Sequence, residues 1–392
     1  MKRIGSLALT VLLVLVCALV LLRSDALLFG KEAVPRSELP AVTEPPQSDP
    51  AEAYLAEMSR EEKLWQLIVV FPQKLTGDNY SADPELWAES LLARPAGGIV
   101  FDGDNMRSEP ELRVMLAAAE HAAAARQTAT PFLCVDEEGG AVARVAYNLG
   151  VTTKFSPMYA YREDGAGTAF ENAFTIGSEL REIGFNVDFA PVADVWTNPD
   201  NTVIGKRAYS DDPQEAATLV AGAVRGFHSS GMLCVLKHFP GHGDTAEDSH
   251  LGAAYCGKTP EELRRCEFLP FEAGIAAGAG MVMVGHITLN EVDPDAPATL
   301  SKAVVTGLLR EELGFRDGVV ITDAMSMSAL AGLDETEAAV RAVEAGCDLL
   351  LGLSDPDAAV QALDANLSDA RLDESVLRIL RLKAAHGLLP LE

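Results

Sequence analysis

Eight short, almost unbroken apolar runs recur along the chain: QLIVVF at 66–71, GGIVFD at 97–102, PFLCVD at 131–136, VDFAPVAD at 187–194, MLCVLKH at 232–238, MVMVGHI at 281–287, GVVITD at 318–323 and DLLLGL at 348–353. A strand with one wet face alternates apolar and polar residues, so runs of this kind belong to parallel strands covered on both sides. Between them lie segments 108–126, 166–183, 213–228, 259–277 and 301–313, rich in Ala, Leu and Glu at helical spacing. Strand therefore alternates with helix, which predicts an α/β fold with a single (β/α)8 barrel at 52–392, a doubly wound open sheet being the other topology. An amphipathic segment at 373–386 is placed to pack on the barrel.

What precedes the barrel is of a different kind. Lys2 and Arg3 stand before an uncharged run of nineteen residues from Ile4 to Leu22, which Arg23 ends. That is longer than the core of a cleaved export signal and close to the ~20 residues that span a bilayer. Residues 1–30 read as a signal peptide or signal anchor, with small Ser24 and Ala26 offering a cleavage site, and either reading puts the body outside the cytoplasm. Cys17 follows bulky Val16, a poor context for lipidation. Residues 31–51, with five prolines from Pro35 to Pro50, read as a stiff polar linker.

The balance of 31 Lys and Arg against 58 Asp and Glu gives a net charge of −27, which repels nucleic acid and excludes polyanion binding. Cys134, Cys234 and Cys347 fall inside apolar runs and are expected as buried thiols. Cys256 and Cys266 are ten residues apart, a spacing that leaves their pairing open.

The polar residues of the eight runs gather at one end. Asp136, Asp194, Lys237, His238, His286 and Asp323 all stand at or just past the carboxyl end of a predicted strand, the end where a barrel builds its sites. The densest stretch is KHFPGHGDTAEDSH at 237–250. His238 and His242 have the i, i+4 spacing of two ligands on a helix, but Pro240 and Gly241 break any helix between them. A loop metal site through His238, His242, Asp248 and His250 remains one reading. The other pairs Asp248 with His250, a carboxylate that orients and charges an imidazole for proton transfer. Asp323, in VVITDAMSM, is a helix N-cap on one reading and a nucleophile at a barrel mouth on the other. Asp136 and Arg144 in DEEGGAVAR and Arg207 in VIGKRAYS complete a set of carboxylates and cations that suits a neutral polyhydroxylated ligand.

Taken in order, DEEGG, VIGKRAYS, KHFPGHGDTAEDSH and ITDAMSM, each after a strand-like run, resemble the family-three glycoside hydrolases, and among them the β-N-acetylhexosaminidases of the NagZ type. MSREEKLWQL at 58–67 and RILRLKAAHGLL at 378–389 resemble the two ends of that domain. The resemblance implies that Asp323 attacks the anomeric carbon, that His250 with Asp248 is the acid/base, and that Asp136, Arg144, Arg207, Lys237 and His238 surround the terminal sugar. It implies a monomer that needs no cofactor and no metal, acting on oligosaccharides that end in β-linked N-acetylglucosamine, in cell wall or chitin-like material. The sequence departs from the family's habit at Ala141, where Arg is frequent, and in LGAAY after His250, where Pro is frequent. A phosphorylase or β-glucosidase of the same family, and a silent sugar-binding protein, are the competing functions.

Overall fold

The structure is a computed structural model that describes residues 49–245, 252, 254–330 and 332–390. The chain divides into two units, Met1–Gln47 and Ser48–Glu392. The signal segment and nearly all of the linker lie outside the described residues, and so do Asp248 and His250.

In Ser48–Glu392 the eight apolar runs form the eight strands β1 (Ile68–Val70), β2 (Gly98–Phe101), β3 (Phe132–Val135), β4 (Val187–Asp188), β5 (Leu233–Phe239), β6 (Met281–Val284), β7 (Val319–Thr322) and β8 (Leu350–Leu351). From β1 to β7 each strand pairs in parallel with the next in chain order, and β8 pairs with β1 through Ile68 opposite Leu350. A single parallel bridge, Ile321 to Leu349, joins the β7 side to the β8 side, so the sheet is nearly closed and is a barrel. The open-sheet alternative is thereby excluded. Every residue of the eight strands is buried, as the unbroken apolar runs require.

Two elements are shorter or more broken than their runs suggest. β4 ends at Asp188, and only an isolated bridge from Val192 to Lys237 continues the pairing, because Pro191 has no N–H to give to the ladder. The expected helix at 259–277 is two helices, Pro260–Arg265 and Phe268–Ala276, and the break turns Glu267 into the interior with no exposed surface. Thr259 starts the first of them with a capping box to Glu262.

Packing fixes the mouth of the barrel. Phe239, at the end of β5, stacks on Phe268 at 5.5 Å and meets Phe271 edge-on at 5.2 Å, all three fully buried. Truncating such a ring to Ala costs about 3–5 kcal/mol. The carboxyl end of β5, which carries Lys237 and His238, is thus anchored from below. At the opposite end of the barrel the closing helix, Asp369–Ala385, buries Lys383 beside the ring of Phe132 at the start of β3.

Candidate active site

A cavity of ≈ 260 Å³ opens at the carboxyl end of the strands, with an apolar floor that includes Phe71, Val100, Phe189, Met283 and Leu351. Asp136, Arg144, Arg207, Lys237, His238 and Asp323 all line it. Six side chains spread over 188 positions of sequence are therefore brought to one concave surface, whose size suits a single sugar ring. Asp102 and Glu138 line it as well and were not anticipated.

Glu138 organises the cationic wall. β3 runs directly into a small antiparallel hairpin, Glu137–Gly139 with Val142–Ala143. Its turn passes so close to Pro157 that a Cβ on Gly140 would lie 2.5 Å from that residue's Cα, and Gly140 has φ +65°. Only glycine fits there. Alternation along the hairpin sends Asp136 and Glu138 toward the cavity and Glu137 away from it. The Glu138 carboxylate takes two parallel bonds from Arg207, Nε to Oε2 at 2.8 Å and Nη2 to Oε1 at 2.7 Å, and a third contact from Lys237 Nζ at 2.6 Å. Lys237 Nζ also donates to Asp136 Oδ1 at 2.5 Å.

Burial would raise the Glu138 carboxyl, but Arg207 and Lys237 outweigh it and hold it far below the usual range. Burial likewise opposes the charges on Lys237 and Arg207, and the carboxylates of Asp136 and Glu138 reverse the balance and keep both cations protonated. An ammonium has three N–H groups, and two of those of Lys237 are committed to carboxylates. The third can meet a sugar hydroxyl.

The neighbouring Glu137 works behind the wall. It accepts from the amides of Val145 at 2.7 Å and Ala146 at 2.9 Å and from Thr152 Oγ1 at 2.8 Å. It thereby caps the short helix Arg144–Asn148 and sets where Arg144 stands. Under it, desolvation drives the buried carboxyl of Asp188 well above the ordinary value, and its Oδ1 accepts from the Glu137 amide at 2.9 Å.

His238 is oriented by Asp194, another residue at the carboxyl end of a run. Asp194 Oδ2 lies 2.8 Å from His238 Nδ1, and Oδ1 accepts the amides of His238 at 3.2 Å and His242 at 2.7 Å. Burial pushes the Asp194 carboxyl up, yet His238 and these amides pull it below its usual value, so it is ionised. With Nδ1–H on Asp194, the Nε2 edge of His238 is the one left for the cavity. The Lys237–His238 and Phe239–Pro240 peptides are both cis. His242 lies behind, 6.0 Å from His238 between ring centres, and its Nδ1 is 2.7 Å from Thr245 Oγ1. Among the described residues no group of three or more His, Cys, Asp or Glu side chains is arranged to hold a metal ion.

Asp323 follows β7 directly. Its amide donates to the Val284 carbonyl of β6 at 2.9 Å, and its Oδ1 accepts from the Ala324 amide at 2.8 Å. His286, just past β6, steadies the same turn, with Nε2 3.0 Å from the Ala324 carbonyl and Nδ1 2.7 Å from Thr299 Oγ1. Since a carbonyl can only accept, Nε2 carries the proton, and the Thr299 hydroxyl beside Nδ1 also reaches the Gly285 carbonyl at 3.0 Å. Asp323 is thus held by backbone bonds on a rigid strand end. Cys134, Cys234, Cys256 and Cys347 are buried, and all five described cysteines are free thiols.

A nearly closed parallel barrel with a sugar-sized, charge-lined cavity at its carboxyl end defines the class as a barrel enzyme acting on a polar small ligand. Residues 59–382 match the family described as glycosyl hydrolase family 3 N terminal domain, and the chain belongs to that family. It is 40% identical over 282 residues to a β-hexosaminidase of Stenotrophomonas maltophilia strain K279a, a match covering 71% of this chain and 81% of that protein. It is 34% identical over 286 residues to β-hexosaminidase A of Pseudoalteromonas piscicida, covering 68% of this chain and 47% of that one. Among solved structures it resembles a family 3 β-N-acetylglucosaminidase from Paenibacillus sp. FPU-7, with a TM-score of 0.77 and 36% identity, covering 84% of this chain but 63% of that one. A β-N-acetylhexosaminidase from Beutenbergia cavernae matches with a TM-score of 0.72 and 29% identity over 85% of this chain and 99% of that one. The chain is a glycoside hydrolase.

Proposed function

We propose that the protein is a retaining β-N-acetylhexosaminidase that removes terminal β-linked N-acetylglucosamine from cell-wall or chitin-like oligosaccharides outside the cytoplasmic membrane. The observation that carries the reading is the meeting of Asp136, Arg144, Arg207, Lys237, His238 and Asp323 around one cavity, in a chain whose curated relatives are β-hexosaminidases.

In the first step an Asp323 carboxylate oxygen bonds to the anomeric carbon while the glycosidic bond breaks and the imidazolium of His250 gives its proton to the departing oxygen. Asp248 orients that imidazole and stabilises its charge. In the second step His250 takes a proton from water, the water oxygen bonds to the anomeric carbon, and the bond to Asp323 breaks, so the configuration is retained. Lys237, Arg207, Arg144, Asp136 and the Nε2 edge of His238 hold the ring hydroxyls. No step calls for a cofactor. The protein acts as a monomer on an uncharged or weakly charged glycan, has no nucleic-acid partner, and keeps to the membrane through residues 1–30 where that segment is not cleaved.

The test compares a chromogenic N-acetyl-β-glucosaminide with the plain β-glucoside, using the full-length protein beside Asp323→Ala and His250→Ala, with and without phosphate. The expected result is release from the N-acetyl substrate, unaffected by phosphate and lowered at least ~100-fold in both variants, with His250→Ala turnover recovered by azide, a nucleophile that needs no general base. Silence of the native protein on both substrates overturns the reading. A sugar phosphate as the product converts it to phosphorolysis.

A further inference from the structure

The stretch between the described residues Thr245 and Ala254 contains Asp248 and His250, and the side chains at its two ends are tied to each other. Asp244 stands on its near side and Lys258 on its far side, just past the short strand Ala254–Cys256. Lys258 Nζ lies 3.2 Å from Asp244 Oδ1 and 3.5 Å from Thr197 Oγ1, and it makes a very short contact with Glu267 Oε1. Thr197 Oγ1 donates to Asp244 Oδ1 at 2.9 Å, so one lysine, one hydroxyl and two carboxylates form a single knot.

The knot is built into the fold on both sides. Glu267 has no exposed surface, and it packs under the turn that follows His238, where a Cβ on Gly241 would lie 2.5 Å from its Cγ. On the other side the backbone of 242–245 is strapped to the loop after Asp194. Asn201 Nδ2 donates to the His242 carbonyl at 2.7 Å, Asn198 Nδ2 reaches the carbonyls of Asp244 and Thr245 at 3.4 and 3.3 Å, and a Cβ on Gly243 would lie 1.9 Å from the Val195 carbonyl. None of these groups lines the sugar cavity. Neutralising a buried Glu267 would need Lys258 alone; the additional hold on Asp244, across the stretch that contains His250, is what a merely structural pair lacks.

We infer that Lys258 is a positioning residue for glycoside cleavage: by bridging Glu267 to Asp244 it fixes the separation of the two ends between which Asp248 and His250 are carried, and through them the acid/base. The inference rests on the assignment of His250 above. A residue that acts through a general acid leaves a signature in the leaving group, because a good leaving group departs without a proton and a poor one does not.

The experiment measures kcat/KM of the full-length protein on N-acetyl-β-glucosaminides with a poor (alkyl) and a good (dinitrophenyl) leaving group. The variants are Lys258→Met, Lys258→Arg, Asp244→Asn and His250→Ala. Asp244→Asn leaves the Lys258 to Glu267 pair in place, so it reads the tie even if Lys258→Met does not fold. The expected result is a loss of about tenfold or more on the poor leaving group, with less than about threefold on the good one, in both Lys258→Met and Asp244→Asn, and partial recovery in Lys258→Arg. Equal losses on the two substrates, or none, in Asp244→Asn while His250→Ala shows the leaving-group pattern overturn the positioning role alone. Absence of that pattern in His250→Ala overturns the acid/base assignment, and the inference with it.

Discussion

Glu138 Oε1 sits 2.6 Å from Lys237 Nζ while the same carboxylate holds Arg207 in a two-point grip, so one buried anion fixes both cations of the cavity wall. The charge of the wall therefore depends on one buried carboxylate of the cavity lining. Glu138→Gln keeps the shape and removes the charge, leaving Lys237 with only Asp136 and Arg207 without a carboxylate. Breaking a buried pair from one side costs about 3–5 kcal/mol. The expected outcome is a lower urea midpoint together with a kcat/KM reduced at least tenfold. An unchanged midpoint and unchanged kinetics would show that Glu138 does not organise the wall.

His286 gives a second test, at the turn that presents Asp323. Its Nε2 donates to the Ala324 carbonyl and Thr299 fixes its ring from the other side. Removing the ring in His286→Ala takes one hydrogen bond each from the Ala324 carbonyl and Thr299, which keep their bonds to the Met327 amide and the Gly285 carbonyl, at a cost of about 0.5–1.5 kcal/mol per bond, and loosens the turn that carries Asp323 rather than the cationic wall. Steady-state kinetics should show kcat falling several-fold with KM nearly unchanged. A change confined to KM would place His286 in binding instead.

A third prediction concerns metal. The resemblance of the chain implies none, and the ring Nδ1 atoms of His238 and His242 are engaged by Asp194 and Thr245. Dialysis against EDTA should leave the hydrolysis rate unchanged. Restoration of a lost rate by added Zn²⁺ would revive the loop metal site through His238, His242, Asp248 and His250.

The barrel was legible because burial on both faces leaves an unambiguous mark, an unbroken apolar run, and because polar residues at the ends of those runs have few reasons to be there. Asp136, Lys237, His238 and Asp323 were found by that signal. Glu138 was not: it lies in DEEGG beside Asp136, and only the period of two along a hairpin separates it from Glu137, which faces the other way. Asp102 ends a run as plainly as Asp323 does, and it lines the cavity too, so the rule that found one applied to both. The role of Glu267 was beyond the sequence. Its segment has a continuous helical pattern, and the tertiary contacts that enclose its carboxylate, with Lys258 and under Gly241, leave no mark in that pattern.

The last prediction lies at the far end of the barrel. Lys383 is completely buried, with Nζ donating to Gln66 Oε1 at 2.9 Å and standing 4.9 Å from the centre of the Phe132 ring. Neither neighbour carries a negative charge, and desolvation lowers the lysine from its ordinary 10.5 to about 7. In the unfolded chain the amine holds its proton up to the ordinary value, so between about pH 7 and 10.5 the unfolded state binds more protons than the folded one. Stability from this group is therefore complete above pH 10.5 and is lost as pH falls toward 7, at up to about 1.4 kcal/mol per pH unit and on the order of 4–5 kcal/mol in all. Lys383→Met keeps the volume and has no proton to lose. Urea unfolding of the native protein and Lys383→Met at pH 6.5, 8 and 9.5 should find the variant more stable at pH 6.5, with the gap closing as the pH rises. Parallel stability curves would mean that Lys383 folds in with its proton, and that Gln66 and the Phe132 ring suffice to keep the charge inside.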